Sequence, residues 1–156
     1  MDLATELGKC TLFRQMPAAS LAKLAAIAEA RQLAVGTEVL HEDKPVTAIY
    51  AVVLGTVRVL KREQRGKVEE IARLGTGSYL GELEFAAGDA TSAASVETAE
   101  PTTLLVLAYD RLRALCDADK DLAAVLYQSL ARGLARRLAN TNLDAAHYRS
   151  IAVHKT

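Results

Sequence analysis

Residues 77–100 read GSYLGELEFAAGDATSAASVETAE, and the fold turns on how this stretch is read. Gly75, Gly77 and Gly81 loosen the backbone just ahead of a short helix-favouring run, Glu82–Ala87. Glycine tolerates positive φ and lets a ligand approach the main chain closely. A helix beginning there turns its free N–H groups and its positive dipole end toward whatever lies in front. Glu82 supplies a carboxylate able to accept hydrogen bonds from hydroxyls. Asp89-Ala90-Thr91-Ser92-Ala93-Ala94-Ser95-Val96 then leads into a strand. From Glu82 to Ala99 there is no Lys or Arg, whereas Glu84, Asp89 and Glu97 add negative charge.

Working outward, residues 1–30 carry a helical pattern. Pro17 suits a helix start, and Leu21, Leu24 and Ala28 recur at helical spacing with Ile27 beside them. Residues 31–108 read as strands: short apolar or β-branched runs at 39–40, 49–54, 57–60, 68–74, 95–99 and 103–107, with Gly36, Gly55, Gly66, Gly75 and Gly77 as punctuation. Val57 and Val59 alternate with Arg58, the period of a half-buried strand. Arg65-Gly66-Lys67 marks a hairpin tip. Many short strands between turns suggest a barrel or a jelly-roll-like sandwich. Residues 109–147 return to helix, first over 109–117 and then in a long helix that Asp121 can cap. That helix carries Leu122, Leu126, Leu130, Leu134 and Leu138, with Gly133 interrupting the stripe, and the residues from Arg149 to Thr156 are expected to fray.

The ordered series resembles the cyclic nucleotide-binding domain family, and the stretch at 77–100 resembles its phosphate-binding cassette. The resemblance runs from Leu12-Phe13 through Ile49-Tyr50, residues 55–59 (GTVRV), residues 74–77 (LGTG) and Leu80-Gly81-Glu82 to Ala94-Ser95-Val96 and the C-terminal helix, covering residues 10–140. It implies an eight-stranded β-roll, mainly β with flanking helices: N-terminal helices, a short cassette helix and a long C-terminal helix in one domain over residues 1–156. It also implies that Gly81 and Glu82 contact a ribose. Leu83, Thr91, Ser92 and Ala93 complete the candidate ligand-binding set. The family clamps the cyclic phosphate with an arginine whose place here falls on Ser92, and the small polar residue after it falls on Ala93. A hydroxyl cannot replace the paired, charge-assisted bonds of a guanidinium, each worth about 1.5–3 kcal/mol. The expectation is therefore weakened or non-standard binding of a cyclic nucleotide or a related ligand. Arg58, Arg62, Arg65 and Arg73 are the candidates to replace the clamp.

Each motif has a plainer reading. Glu82 can be a capping carboxylate, worth about 0.5–2 kcal/mol. Thr91 and Ser92 can be turn residues ahead of a strand, and this reading is favoured. His41 has only His147 and His154 for company in the sequence, too few histidines for a cupin-like metal site. No nucleophile–base arrangement stands out, so no enzyme is expected.

Composition narrows the classes further. The chain has 156 residues, 51% of them hydrophobic, and only 4% aromatic, so aliphatic side chains must fill the core. Nineteen basic and nineteen acidic residues give a formal net charge of +0. That balance argues against bulk binding to nucleic acid or an anionic membrane. Arg132, Arg136 and Arg137 read as a solvated helix face. Cys10 and Cys116 read as reduced, buried thiols. The polar N-terminus and the lack of a long apolar run suggest a cytoplasmic protein. No room follows the long helix for a helix-turn-helix, so a stand-alone module is expected, without specific DNA binding. The leucine stripe suggests a homodimer through the long helix, which the resemblance also implies. Two functions follow: a ligand-responsive regulatory module, or a ligand-free dimeric adaptor for a partner protein.

Overall fold

A computed structural model describes residues 1–88 and 90–154, and the side chains of residues 1–88 and 90–140. Asp89, Lys155, Thr156 and the side chains of His147 and His154 lie outside the described residues. Two helices, α1 (Leu3–Gly8) and α2 (Ala18–Ile27), precede eight strands: β1 (Ala28–Leu33), β2 (Glu38–Leu40), β3 (Ala48–Leu54), β4 (Val57–Arg62), β5 (Val68–Leu74), β6 (Tyr79–Leu80), β7 (Ser95–Thr98) and β8 (Thr102–Ala108). The cassette helix α3 (Glu82–Ala87) sits between β6 and β7, and α4 (Tyr109–Ala118) and α5 (Lys120–His154) follow β8.

The strands form two four-stranded sheets, ordered β1-β8-β3-β6 and β2-β7-β4-β5. All the pairings are antiparallel. This is the eight-stranded roll with flanking helices that the motif series implies. β8 and β3 lie at the centre of their sheet and are buried along nearly their whole length. The second sheet is more exposed. There Val57 is buried while Arg58 lies outward, directly opposite Glu97 on β7, and the two side chains form an ion pair. The β4–β5 hairpin turns at Gly66, whose φ is +84°, with Glu63 N–H donating to the Lys67 carbonyl at 2.7 Å.

One hydrophobic cluster gathers Leu7, Phe13 and Leu24 from the N-terminal helices and turns. Ile49, Leu105 and Leu107 join it from the roll, and Leu112, Leu122 and Leu126 from the C-terminal helices. Cys10 and Cys116 are unpaired and buried within this cluster, and burial pushes the Cys10 thiol up to about 11.

Several expectations need correction. The helical reading of residues 1–30 ran too far, because Ala28 opens β1. That strand, Ala-Glu-Ala-Arg-Gln-Leu, carries no β-branched residue and looks locally like helix. It is held extended by six paired positions along β8, from Ala28 opposite Leu107 to Leu33 opposite Thr102. Cross-strand pairing thus overrides a weak local preference. The two-residue β6 also gave no periodic signal. Asp119, not Asp121, caps α5, its Oδ1 accepting from the Leu122 N–H at 3.0 Å. Finally, α5 continues to His154, past the expected onset of fraying at Arg149.

Candidate functional site

The roll, α3 and α5 enclose a cavity of about 500 Å³. That volume falls within the usual range of small-molecule sites. Its walls are mainly aliphatic: Leu40, Val59, Ile71, Leu74, Leu80 and Val96. The cassette supplies its floor and rim through Gly81, Glu82, Leu83, Glu84, Ser92, Ala93 and Ala94. Arg137 reaches in from α5.

Gly81 caps α3 in the left-handed region, with φ +87°. A Cβ there would overlap the Ala48 carbonyl, so no other residue fits without moving β3. Its own carbonyl accepts from the Tyr109 hydroxyl, which fastens the start of α3 to α4. This geometry places the next residue, Glu82, inside the protein at 3% exposure. Glu82 Oε1 lies 2.7 Å from Arg137 Nη1, whereas Oε2 is buried with no hydrogen-bond partner among the described residues. Burial raises the Glu82 carboxyl above its ordinary range, and the Arg137 charge opposes that rise.

The rest of α3 divides by direction. Leu83 stands at the mouth with 43% exposure, and Glu84 is buried along the cavity wall. Phe85 points away from the mouth. Its ring lies 5.2 Å from that of Tyr109 and 6.0 Å from that of Tyr127 on α5, the latter pair nearly parallel. The Arg113 guanidinium covers both Phe85 and Tyr109, at 5.5 and 5.3 Å. Offset aromatic pairs and a cation over their faces each add modest attraction. The cassette helix is therefore tied to α5 twice, through Glu82–Arg137 and Phe85–Tyr127.

Ser92 lines the cavity but its hydroxyl is turned onto its own loop. Oγ donates to the Ala94 carbonyl at 2.5 Å and accepts from the Ala94 N–H at 3.4 Å. Its main chain is fixed as well, with N–H donating to the Lys44 carbonyl at 2.9 Å and the carbonyl accepting from Asp43 N–H at 2.8 Å. Thr91 is exposed and bridges Pro45 through the backbone. Thr91 does not line the cavity. The turn-residue reading of Thr91 and Ser92 accounts for all of these bonds.

None of Arg58, Arg62, Arg65 and Arg73 lines the cavity. Arg58 pairs with Glu97 and Arg73 with Glu70. Lys61, which reaches the cassette loop, is engaged with Glu42 and the Ala93 carbonyl. Among the described residues, the basic side chain that does enter is Arg137, which sequence reasoning left on a solvated face. The trio in fact splits. Arg137 turns into the cavity, while Arg132 and Arg136 line a separate cleft of about 180 Å³ with Thr11, Arg14, Gln15 and Ser129. Successive positions on a helix point about 100° apart, so adjacent arginines at 136 and 137 need not share a face. Arg137 lies two helical turns after the buried Leu130 and so on the same side of α5, and that spacing would have flagged it.

The leucine stripe also divides. Leu122, Leu126 and Leu130 are buried at 0%, 0% and 3% exposure, Leu134 is half-buried, and Leu138 is 62% exposed. Leu130 therefore belongs to the core, and a charge placed there disrupts the fold rather than a dimer alone. Gly133 sits where α5 meets β6. The Tyr79 hydroxyl occupies the space its side chain would take.

With this geometry in hand, comparison with known proteins places the chain. A family profile described as the cyclic nucleotide-binding domain matches residues 30–119, and the chain belongs to that family. Among curated relatives it is 33% identical over 136 residues to a protein of Rhodopseudomonas palustris assigned as a potassium channel, covering 86% of this chain and 31% of the relative. It is 28% identical over 103 residues to the cAMP-activated global transcriptional regulator of Haemophilus influenzae, covering 66% of this chain and 44% of that protein. The chain thus spans less than half the length of both. Among solved structures, the catabolite activator protein of Thermus thermophilus superposes with a TM-score of 0.75 and 26% identity over 87% of this chain and 62% of that one. The relatives are regulators and a channel, and no helix among the described residues is long and apolar enough to cross a membrane.

Proposed function

We propose that this protein is a regulatory module in which a ligand in the cassette cavity controls the packing of α5, and that its affinity for simple cyclic nucleotides is weak. The observation that carries the reading is the state of Ser92. Its hydroxyl is consumed by Ala94, and the one arginine among the described residues that lines the cavity is already paired with Glu82. Among the described residues, an incoming cyclic phosphate would meet no uncommitted cation where the family places its clamp. Gly81, Glu82, Leu83, Ser92 and Ala93 are the proposed contact residues, with Thr91 shaping the loop behind them. The route of control is the pair of ties between α3 and α5. Displacing Glu82 from Arg137 loosens one of them and shifts the balance between docked and released α5.

Calorimetry with cyclic AMP and cyclic GMP tests the reading. Wild type should bind neither at low-micromolar concentration. Ser92→Arg should tighten both by about one to two orders of magnitude, the value of one or two charge-assisted bonds. Low-micromolar binding by wild type refutes the reading. A folded Ser92→Arg variant with no gain shows that the cavity does not admit the phosphate.

A second reading, a ligand-free dimeric adaptor in the cytoplasm, is favoured by the exposed Leu138 and half-buried Leu134 on the outer part of α5. In that reading two copies pair along this helix and present the roll to a partner protein.

A further inference from the structure

A second recess lies away from the cassette, where the N-terminal turn meets α5. Thr11, Arg14 and Gln15 line it from the segment between α1 and α2, and Ser129, Arg132 and Arg136 line it from α5. Positions 129, 132 and 136 are spaced i, i+3 and i+7, so they fall within about 60° of one another round the helix. No carboxylate is among the described lining residues. Nor does α5 offer one three or four residues from Arg132 or Arg136. Among the described residues Arg14, Arg132 and Arg136 form no ion pair, whereas Arg58 is paired with Glu97 and Arg73 with Glu70. Arg132 and Arg136 also stand four residues apart, a like-charge spacing that weakens a helix. The only printed bond of Arg132 is to an amide: Nη1 donates to Gln15 Oε1 at 2.9 Å, which leaves the Gln15 NH₂ as a further donor. Thr11 Oγ1 donates to the Gly77 carbonyl at 2.8 Å and holds the turn against the loop before β6.

We infer that this cleft binds a small oxyanion of the phosphate class, held by Arg14 on one side and by Arg132 and Arg136 on the other. The cleft measures about 180 Å³, below the range of about 300–1,000 Å³ usual for small-molecule sites, so it admits a compact group and not a whole nucleotide. Guanidinium forks match phosphate oxygens in paired, charge-assisted bonds. A planar carboxylate is satisfied by one fork, whereas a tetrahedral anion presents oxygens to cations on both walls. The anion then bridges the N-terminal turn and α5, a tie that does not pass through the cassette. All three arginines are exposed, so each bond is screened and binding weakens as salt is raised. The inference stands apart from the reading of the cassette cavity. Free phosphate and the terminal phosphoryl group of a small metabolite share this chemistry.

The test titrates inorganic phosphate, glycerol 3-phosphate and acetate, at neutral pH and constant ionic strength, into the full ¹⁵N-labelled chain. The signals followed are the amides of Thr11, Gln15 and Ser129 and the side-chain Nε–H groups of Arg14, Arg132 and Arg136. Phosphate should shift them and saturate with a Kd of about 1 mM, with acetate about tenfold weaker. Saturation by the ester as well assigns a metabolite's phosphoryl group, and saturation by phosphate alone assigns the free ion; both support the inference. Arg14→Gln and Arg136→Gln should each weaken phosphate about threefold or more, the scale of an exposed charge pair. Together they should weaken it about tenfold. Arg65→Gln, on the tip of the β4–β5 hairpin, should leave the affinity unchanged. All three replacements lie at exposed positions, so the fold tolerates them. Equal binding of acetate and phosphate overturns the inference. So does a loss in Arg65→Gln as large as in Arg14→Gln, which would show a diffuse charge effect. Shifts confined to Gly81, Ser92 and Ala94 would put the anion in the cassette cavity and overturn it too. The affinity for cyclic nucleotides is measured separately, so failure here leaves the proposed function untouched.

Discussion

The stretch of α5 from Leu122 to Leu130 and the stretch from Gly133 to Leu138 continue one leucine repeat, yet they meet different surroundings. In the first, Leu122, Leu126 and Leu130 sit in the core with almost no exposure. In the second, Gly133 receives Tyr79, Arg137 turns into the cavity and Leu138 faces outward at 62% exposure. A step of four residues overshoots the 3.6-residue turn by about 40°, so the stripe drifts round the axis as it advances. The helix begins as a structural element and becomes one wall of the cavity. Regular spacing therefore says that a face is apolar and leaves open what covers it.

The sharpest way to break this comparison is paired truncation. Leu126→Ala removes a fully buried side chain and should lower unfolding free energy by about 3 kcal/mol. Leu138→Ala should change it by less than about 0.5 kcal/mol. Urea denaturation of both variants measures the difference, and equal losses would mean that the outer stretch is core as well.

Gly133→Ala probes the boundary between the two stretches. The new methyl collides with the Tyr79 hydroxyl, an overpacking that costs about 1–3 kcal/mol. It also restores about 1 kcal/mol of helix propensity. A net loss of about 1 kcal/mol is expected in thermal or urea unfolding. The double variant with Tyr79→Phe should recover much of it, and a stabilised single variant would show that Tyr79 moves aside freely.

Glu82→Gln examines the link between cavity and helix through pH. The folded-state pKa of Glu82 is raised, with burial the main cause. A raised carboxyl contributes stability that is fully present below its unfolded-state pKa and is lost as pH rises through the folded value. The melting temperature of wild type minus that of Glu82→Gln should therefore fall as pH is raised from about 4.3, the unperturbed glutamate value, toward neutrality. Asp119 and Glu42 carry lowered values and are common to both proteins, so they cancel in the difference. A difference that grows with pH would place the Arg137 attraction above burial.

Leu138→Glu and Leu134→Glu carry the smallest effect on the fold. Both should leave the melting of the roll close to wild type, Leu138→Glu the closer, and both should shift a dimer toward monomer in light scattering. A wild type that is already monomeric at tens of micromolar removes the dimer.

Much of the fold was legible before any coordinates. Alternation at Val57, Arg58 and Val59, the turn at Gly66 and the apolar runs at 49–54 and 103–107 each reflect local constraints that act wherever the segment lies. β1 was not legible, because its residues favour helix and only β8 makes them a strand. The site was half legible. Gly81 announces a turn at the start of the cassette helix, and that geometry is local, whereas the burial of Glu82 appears only in the folded chain.

By itself, then, the amino-acid order determined the family, the strand periodicity, the glycine at the start of the cassette helix and the absence of an arginine from Glu82 to Ala99. Only the tertiary structure decided that Ser92 spends its hydroxyl on Ala94, that Arg137 comes back across the chain to Glu82, and that Leu130 is interior while Leu138 is not. The reason is range. Turns and periodicities depend on neighbours a few residues away, whereas the partner of a buried charge and the depth of a helix face depend on segments brought together only when the core closes.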